Sequence, residues 1–326
     1  MHYIQIPQSD HQRKLSFYLA AEEYVAQHFV SSDYFFMWQV EPSVIFGRNQ
    51  LIDNEVNVDY CLTHHIDMFR RKSGGGCVFA DMSNVMLSFI TPDINVNLTF
   101  NRYINMLVKV LRDMGVVCEA SGRNDIMIDG RKVSGAAFYH LPNRSIVHST
   151  LLYNTDMEKM MSSITPSGAK LQSKGVASVR QHVALLEDYT SLTLSEVIDF
   201  IRVHLCHDET ITLNEDDVKA IKKIELSYLK PEFIYGVNPK YTVIKRKRIE
   251  GAGEIEARIE VHNNKIMHIN LLGDYFLVGD LESLLNLLEG VSLDADSIRS
   301  ALPENLSQYI LNLKRDDIVS LLMDAD

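Results

Sequence analysis

The sequence of 326 residues is short of several features that would settle its class at once. It has four cysteines, Cys61, Cys77, Cys118 and Cys206, and no two of them form a C-x-x-C pair. That spacing argues against a zinc knuckle or a dithiol redox motif. No apolar run is long enough to span a bilayer, so no membrane partner is expected. The N-terminal stretch has no basic segment leading into an apolar core, so no secretory signal is expected either. Free thiols without an export signal point to the cytoplasm. Basic residues are outnumbered, with 32 Lys and Arg against 43 Asp and Glu, for a net charge of −11. So acidic a chain does not suit non-specific nucleic-acid binding, which needs a basic surface, although a small basic nucleotide pocket stays open. Repeats and low-complexity segments are absent too.

What remains is an ordinary globular composition, 46% hydrophobic and 23% charged, on a chain long enough for two cores. Ser9 or Asp10 could cap a helix running to about Phe29, with Leu15, Leu19, Ala26 and Phe29 on one stripe. Glu22 falls on that stripe; the sharper of its two readings is a buried carboxylate holding a neighbouring loop. Strands are expected at Tyr34–Val40, Val44–Phe46, Ile66–Arg70, Val78–Phe79 and Val85–Ile90, with a short helix at Val58–His65. A helix over Leu98–Met114 ends at Gly115. Strands follow at Val116–Glu119, Asn124–Ile128, Arg131–Phe138 and Ile146–Tyr153. Helices at Leu194–Leu205 and Glu215–Leu229 come next, the second stopped by Pro231. After Gly236, three strand-like runs with turns at Gly251–Gly253 and Asn263-Asn264 begin a different pattern. The mixture without strict βαβ alternation predicts an α+β protein: a mixed-sheet domain over 1–240 and a smaller α+β domain over 241–326.

Four segments carry candidate chemistry. In Arg70–Phe79 a strand runs into Ser73-Gly74-Gly75-Gly76. Consecutive glycines are costly in chain entropy and make sense where backbone passes a ligand and its N–H groups converge on an anion. Arg70 and Arg71 supply planar charge for phosphate. The plainer alternative is a mobile surface turn with two snorkelling arginines.

In Asn124–Gly135 the Asp129-Gly130 pair signals a two-residue hairpin. Taken at face value it pairs Ile128 with Arg131, Met127 with Lys132, Ile126 with Val133 and Asp125 with Ser134. Alternation then puts Asp125, Met127, Lys132 and Ser134 on one face and the aliphatic residues on the other. A lysine there can stabilise developing negative charge. A solvated amphipathic hairpin is the plainer account. His148, in the run Val147–Leu152, would by itself be a satisfied strand histidine. Lys170–Arg180 is a polar, basic loop that could close over a phosphate-bearing ligand. Lys245–Arg248 is taken as a solvated charged edge.

Taken together and in this order, the segments resemble the lipoate–protein ligases. The shared patterns stand at Arg70–Phe79, Gly122–Asp125, Arg131–Gly135, His148–Leu152 and Lys174–Arg180. The resemblance covers most of the first 190 residues; the chain after Tyr241 is similar to the family's accessory domain only in position and strand–helix pattern. It implies a catalytic domain of the biotinyl/lipoyl ligase type that activates lipoate with ATP; Mg²⁺ is implied on the nucleotide, with no protein metal ligands assigned. It implies nucleotide or adenylate contacts from Arg71, Ser73, Gly74, Gly75, Gly76, Cys77, Val78, Phe79, Asn84, Asn124, Asp125, Ser134 and Gly135. It implies a lipoate pocket with Arg70, His148 and Thr150, and gives Lys132 the catalytic role, touching both the lipoyl carboxylate and the α-phosphate. Lipoyl carrier domains are the implied partners, and a monomer is expected. Two positions depart from the common pattern. Ala80 stands where a His often precedes Asp81, and Ser149 where a Gly often follows the His. A transferase on the same fold that uses Cys77 without ATP, and a binding module without catalysis, are the rival readings.

Overall fold

The computed structural model describes residues 1–7, 13–121, 124–164, 182–206, 209–236 and 243–323. Its chain divides into two compact units. The first comprises Met1–Phe46, Ile52–Arg71 and Cys77–Ile234; the second comprises Gly47–Leu51, Lys72–Gly76 and Tyr235–Asp326. The expected boundary between 240 and 241, the proposed cap at Ser9 or Asp10, Gly122 and Arg123, and the loop Lys170–Arg180 lie outside the described residues.

In the first unit the chain runs β1 (His2–Gln5), α1 (Leu15–His28), β2 (Tyr34–Trp38), β3 (Ser43–Phe46), α2 (Ile52–Glu55), α3 (Val58–Thr63), β4 (Asp67–Arg70), β5 (Val78–Ala80) and β6 (Val85–Thr91). It continues through α4 (Val96–Asp113), β7 (Glu119–Ala120), β8 (Asp125–Ile128), β9 (Arg131–Leu141), β10 (Arg144–Leu151) and α5 (Met157–Ser163). Helices Leu194–Cys206, Glu215–Tyr228 and Pro231–Tyr235 and the strand β11 (Thr210–Thr212) complete it.

Eight strands form one sheet in the order β11-β1-β2-β6-β10-β9-β8-β7. It is mixed: β1 runs parallel to β2 and β11, and β2, β6, β10, β9, β8 and β7 pair antiparallel. The edge strand β11 and its neighbour β1 escape the sequence reading. They are three or four residues long and pair only with distant parts of the chain, so local pattern carries little of them. A smaller sheet, β4-β3-β5, sits over its own cluster of Val44, Phe46, Ile52, Val56, Cys61, Ile66 and Phe79.

Local signals hold at several ends. The Asn95 side chain accepts from Leu98 N at 3.1 Å and starts α4, and Gly115 follows that helix at φ +94°. Asp129 (φ +50°) and Gly130 (φ +71°) make the expected tight turn between β8 and β9. Pro231 ends one helix and opens another, since its missing N–H costs nothing in a first turn.

The second unit carries an antiparallel sheet of β12 (Val243–Ile249), β13 (Gly253–His262) and β14 (Lys265–Gly273). Helices Leu281–Asn286, Ala295–Ala301 and Arg315–Met323 follow, and their Leu284, Ile298 and Ile318 join Ile255, Ile259 and Leu271 in one core. Asn263 and Asn264, at φ +49° and +58°, form the β13–β14 turn. Arg246, from the basic run, pairs with Glu256 across the sheet rather than standing only in solvent. Both units are α+β, as expected.

Candidate active site

Register places the candidate residues in rows across the large sheet. Asp125, Gly135, Thr150, Met86 and Trp38 are successive partners over β8, β9, β10, β6 and β2, so their side chains share a face. One step inward, Ala137, His148, Ser88 and Phe36 form the next row on that face. Helix α1 covers it: the Tyr18 ring stacks on Trp38 at 4.8 Å, and Glu22 reaches His148 and Ser88.

The hairpin departs from the simple pairing in one respect that matters. Met127 pairs with Lys132, but Ile126 pairs with Ser134 and Asp125 with Gly135. Val133 is therefore an extra residue in β9, a bulge that resets every later position. Ser134 moves to the side of Ile126 and is buried there at 1% exposure. The expectation that Ser134 shares a face with Asp125 and Lys132 is thus overturned. Gly135 takes that place instead. The Lys132 backbone, one pair on from the turn, faces away from β8 and has a different partner: its N–H donates to His182 O at 2.9 Å, and its carbonyl accepts from Ala184 N at 2.8 Å. A chain segment fifty residues downstream in sequence thus clamps the lysine from outside the sheet.

The Lys132 ammonium lies 2.8 Å from Asp125 Oδ1, with the two side chains 39% and 27% exposed. Both side chains are partly exposed, while the facing Oδ1 is itself buried and has no hydrogen-bond partner among the described residues. A partly exposed ion pair of this kind contributes about 1 kcal/mol or less, so an incoming carboxylate can compete with Asp125 for the ammonium. Asn124 is committed elsewhere: it exchanges bonds with Ala136, Nδ2 donating to Ala136 O and its own carbonyl accepting from Ala136 N, both at 2.9 Å.

His148 and Glu22 are the opposite case. Both are buried, and the His148 Nδ1–H donates to the Glu22 carboxylate at 2.9 Å. Ser88 Oγ donates to Glu22 at 2.6 Å and accepts from Trp38 Nε1 at 2.9 Å. Glu22 is the buried carboxylate of the sharper reading, but it holds strand residues rather than a loop. Ser88 and Trp38 were missed; both sit in apolar strand runs where nothing local marks them as polar partners. Ser149 points to the other face, where it bonds with the Tyr103 hydroxyl of α4. The departure from glycine therefore does not crowd the face that carries His148.

Asn84 continues the Met86 side of β6 at its start. Its Nδ2 donates to Asp81 Oδ1 at 3.0 Å, and Asp81 also takes Ser83 and Thr155. The amide is held so that its buried Oδ1 has no partner among the described residues, an acceptor available to a ligand.

Arg70 and Arg71 are buried, which overturns the mobile-turn alternative. Arg70 lies over the Phe46 ring and donates from Nε to Ile234 O at 3.0 Å; Arg71 Nη1 donates to Ile45 O at 3.1 Å. Desolvation lowers both guanidinium pKa values to about 10. Cys77 and Val78 are half-buried and Phe79 is buried beside them in the small sheet. Desolvation raises the Cys77 thiol pKa well above its usual range, with Glu55 adding and Arg71 opposing.

The residues Ser73, Gly74, Gly75 and Gly76 group with the second unit. Within it, Ser73 O accepts from Arg48 N at 2.8 Å, and a Cβ at Gly74 would lie 2.2 Å from Tyr275 O. Gly74 is therefore fixed as glycine by close backbone packing, whatever else the run does; Gly75, at φ +87°, needs glycine for its conformation.

Residues 14–206 match the family model of the lipoyl protein ligase A/B catalytic domain, and residues 238–322 that of the bacterial lipoate protein ligase C-terminus. The chain belongs to the lipoate–protein ligase family. It is 34% identical to Lipoate–protein ligase 1 of Staphylococcus aureus (strain Mu50), over 93% of this chain and 95% of that one. It is 32% identical to Lipoate-protein ligase LplJ of Bacillus subtilis (strain 168), over the same shares. Among solved structures, P. falciparum LipL1 in complex with lipoate superposes with a TM-score of 0.77 at 19% identity, covering 99% of each chain. A lipoate-protein ligase A bound with ATP gives 0.63 at 21% identity, over 73% of this chain and 99% of that one. These likenesses are of fold, and they fit the mixed sheet described above. In this ligase the row carrying Asp125, Gly135 and Thr150, with Lys132 lying across it, brings a lysine ammonium and a carboxylate together on one face of the sheet.

Proposed function

We propose that this ligase activates lipoate with ATP and transfers the lipoyl group to a lysine of lipoyl carrier domains, the acyltransferase subunits of 2-oxoacid dehydrogenases and the glycine-cleavage H protein among them. The observation that carries the reading is the Lys132 ammonium, accessible and held 2.8 Å from Asp125 by a weak, replaceable pair. In the first step a lipoate carboxylate oxygen attacks the α-phosphorus of ATP. A P–O bond forms to the carboxylate, and the bond to pyrophosphate breaks. Lys132 takes the carboxylate from Asp125, aligns it, and stabilises charge on the α-phosphate. In the second step the carrier amine attacks the acyl carbon, the C–N bond forms, AMP leaves with the electrons of the C–O bond, and the amine proton passes to solvent. Lys132, still against the anhydride, favours departure of AMP.

Solved relatives bound to ATP and to lipoic acid support the choice of substrates, and the structural analysis of a bi-partite lipoate protein ligase and its E2 lipoyl domain from T. acidophilum supports the carrier class. Among the described residues there is no group of three or more His, Cys, Asp or Glu that could hold a metal ion, and Mg²⁺ carried on the nucleotide is part of the proposal. No helix of the described chain is long and apolar enough to cross a membrane; a cytoplasmic monomer with domains over 1–240 and 241–326 is part of the proposal. The Cys77 transferase is the weaker reading, because a thiol whose ionisation burial opposes is a poor nucleophile.

The test is ATP–pyrophosphate exchange by the purified full-length protein. Exchange is expected only with lipoate or octanoate present. Acyl transfer from acyl carrier protein in the absence of ATP, without such exchange, would replace this proposal with the transferase.

A further inference from the structure

Glycine inside a strand is unfavourable, and Gly135 is inside β9 with ladder partners on both sides, Asp125 and Thr150. Its backbone does not ask for glycine, because its φ is not among the positive values of the chain. Neither neighbouring strand's backbone comes close to the position a Cβ would take. What a Cβ would meet is Lys132: it would lie 2.6 Å from both Cε and Nζ, and 3.4 Å from Asp125 Oδ1. The missing side chain is filled by the end of the lysine.

The bulge explains how this comes about. Val133 as an extra residue breaks the alternation that would have separated positions 132 and 135, and the bonds to His182 and Ala184 fix where the Lys132 backbone starts. From there the side chain crosses the sheet over Gly135 to Asp125. We infer that Gly135 is a positioning residue, whose lack of a side chain holds the floor over which Lys132 reaches the reacting carboxylate. The inference rests on the role given to Lys132 under Proposed function, and it gives Gly135 an action through that lysine rather than through nucleotide contact. A methyl group at 135 meets only the flexible end of a lysine, so the lysine gives way and the sheet does not. Fold and stability are kept while the ammonium is displaced by an ångström or more.

The experiment compares single-turnover acyl-adenylate formation in the full-length wild type, Gly135→Ala, Lys132→Ala and the double variant, with melting curves for all four. Gly135→Ala is expected to slow the step by about a hundredfold, the scale of a 1 Å misplacement, with the KM for ATP nearly unchanged. Added to Lys132→Ala it is expected to change little, since the group it displaces has gone. Multiplying losses in the double variant would show that Gly135 acts on the ligand directly and overturn the inference. So would a wild-type rate in Gly135→Ala beside a slow Lys132→Ala, which would leave the role of Lys132 standing. A wild-type rate in Lys132→Ala would remove that role and this inference with it. If Gly135→Ala alone fails to fold, a folded double variant supports the steric account, and an unfolded double variant overturns it.

Discussion

Two neighbouring rows on one face of the large sheet hold an acid–base pair each, and they are built to opposite ends. In the inner row His148 and Glu22 are 6% and 0% exposed, and Ser88, itself bonded by Trp38 Nε1, donates a second bond to the carboxylate. In the outer row Lys132 and Asp125 are a third open to water and held by one another over a glycine. A buried polar pair is hard to exchange because its groups have no water to return to; a more open pair exchanges more easily. The inner row is therefore suited to fixing the shape of the face under α1, and the outer row to trading partners during a reaction.

The largest expected effect tests the inner row. Glu22→Ala removes the acceptor for two buried donors and should cost about 2–5 kcal/mol of stability, at roughly 1–3 kcal/mol for each donor left unsatisfied. Chemical denaturation of the variant measures it. A loss under 1 kcal/mol would mean that water reaches His148 and that the two rows do not differ as described.

Next in size is Lys132→Ala. Its melting temperature should stay close to that of the wild type, while adenylate formation falls by about a hundredfold or more, as when a preorganised charge-stabilising group is lost. Lys132→Arg should not rescue, because a planar fork does not fit the space over Gly135 that a compact ammonium fills. Single-turnover rates and melting curves together decide it: wild-type rates in Lys132→Ala would make the outer row as structural as the inner one.

A smaller effect is expected on the far face. Ser149→Ala leaves the buried Tyr103 hydroxyl without its partner and should cost about 1–2 kcal/mol. Because Ser149 faces away from His148, lipoate KM should not move, and a several-fold rise in it would show that the two faces are coupled. The smallest effect belongs to Cys77→Ala, expected to keep most of the activity since the adenylate route needs no thioester. An acyl-cysteine found in the wild type by mass spectrometry, together with loss of activity in a folded variant, would move the chemistry out of the outer row altogether.

Much of this was legible in the chain. Helices α1 and α4 followed from apolar spacing, and the end of α4 from Gly115; α1 begins later than expected, at Leu15 after Lys14 and without a side-chain cap. The hairpin turns followed from Asp129-Gly130 and Asn263-Asn264, because those signals act between residues close in sequence. The family followed from motifs occurring jointly, in order. The pairings carried by distant residues were not legible: β1 against β11, Glu22 against His148, and the segment 182–184 against Lys132. The bulge at Val133 is the sharpest instance. A turn fixes register only until an extra residue is admitted, and whether one is admitted depends on what else can bond the displaced backbone. Sequence alone determined that a lysine and an aspartate would share one face of this hairpin. Only the tertiary structure decided that the lysine lies across the glycine and that the serine turns away, because the partners that stabilise this arrangement arrive from fifty residues further along the chain.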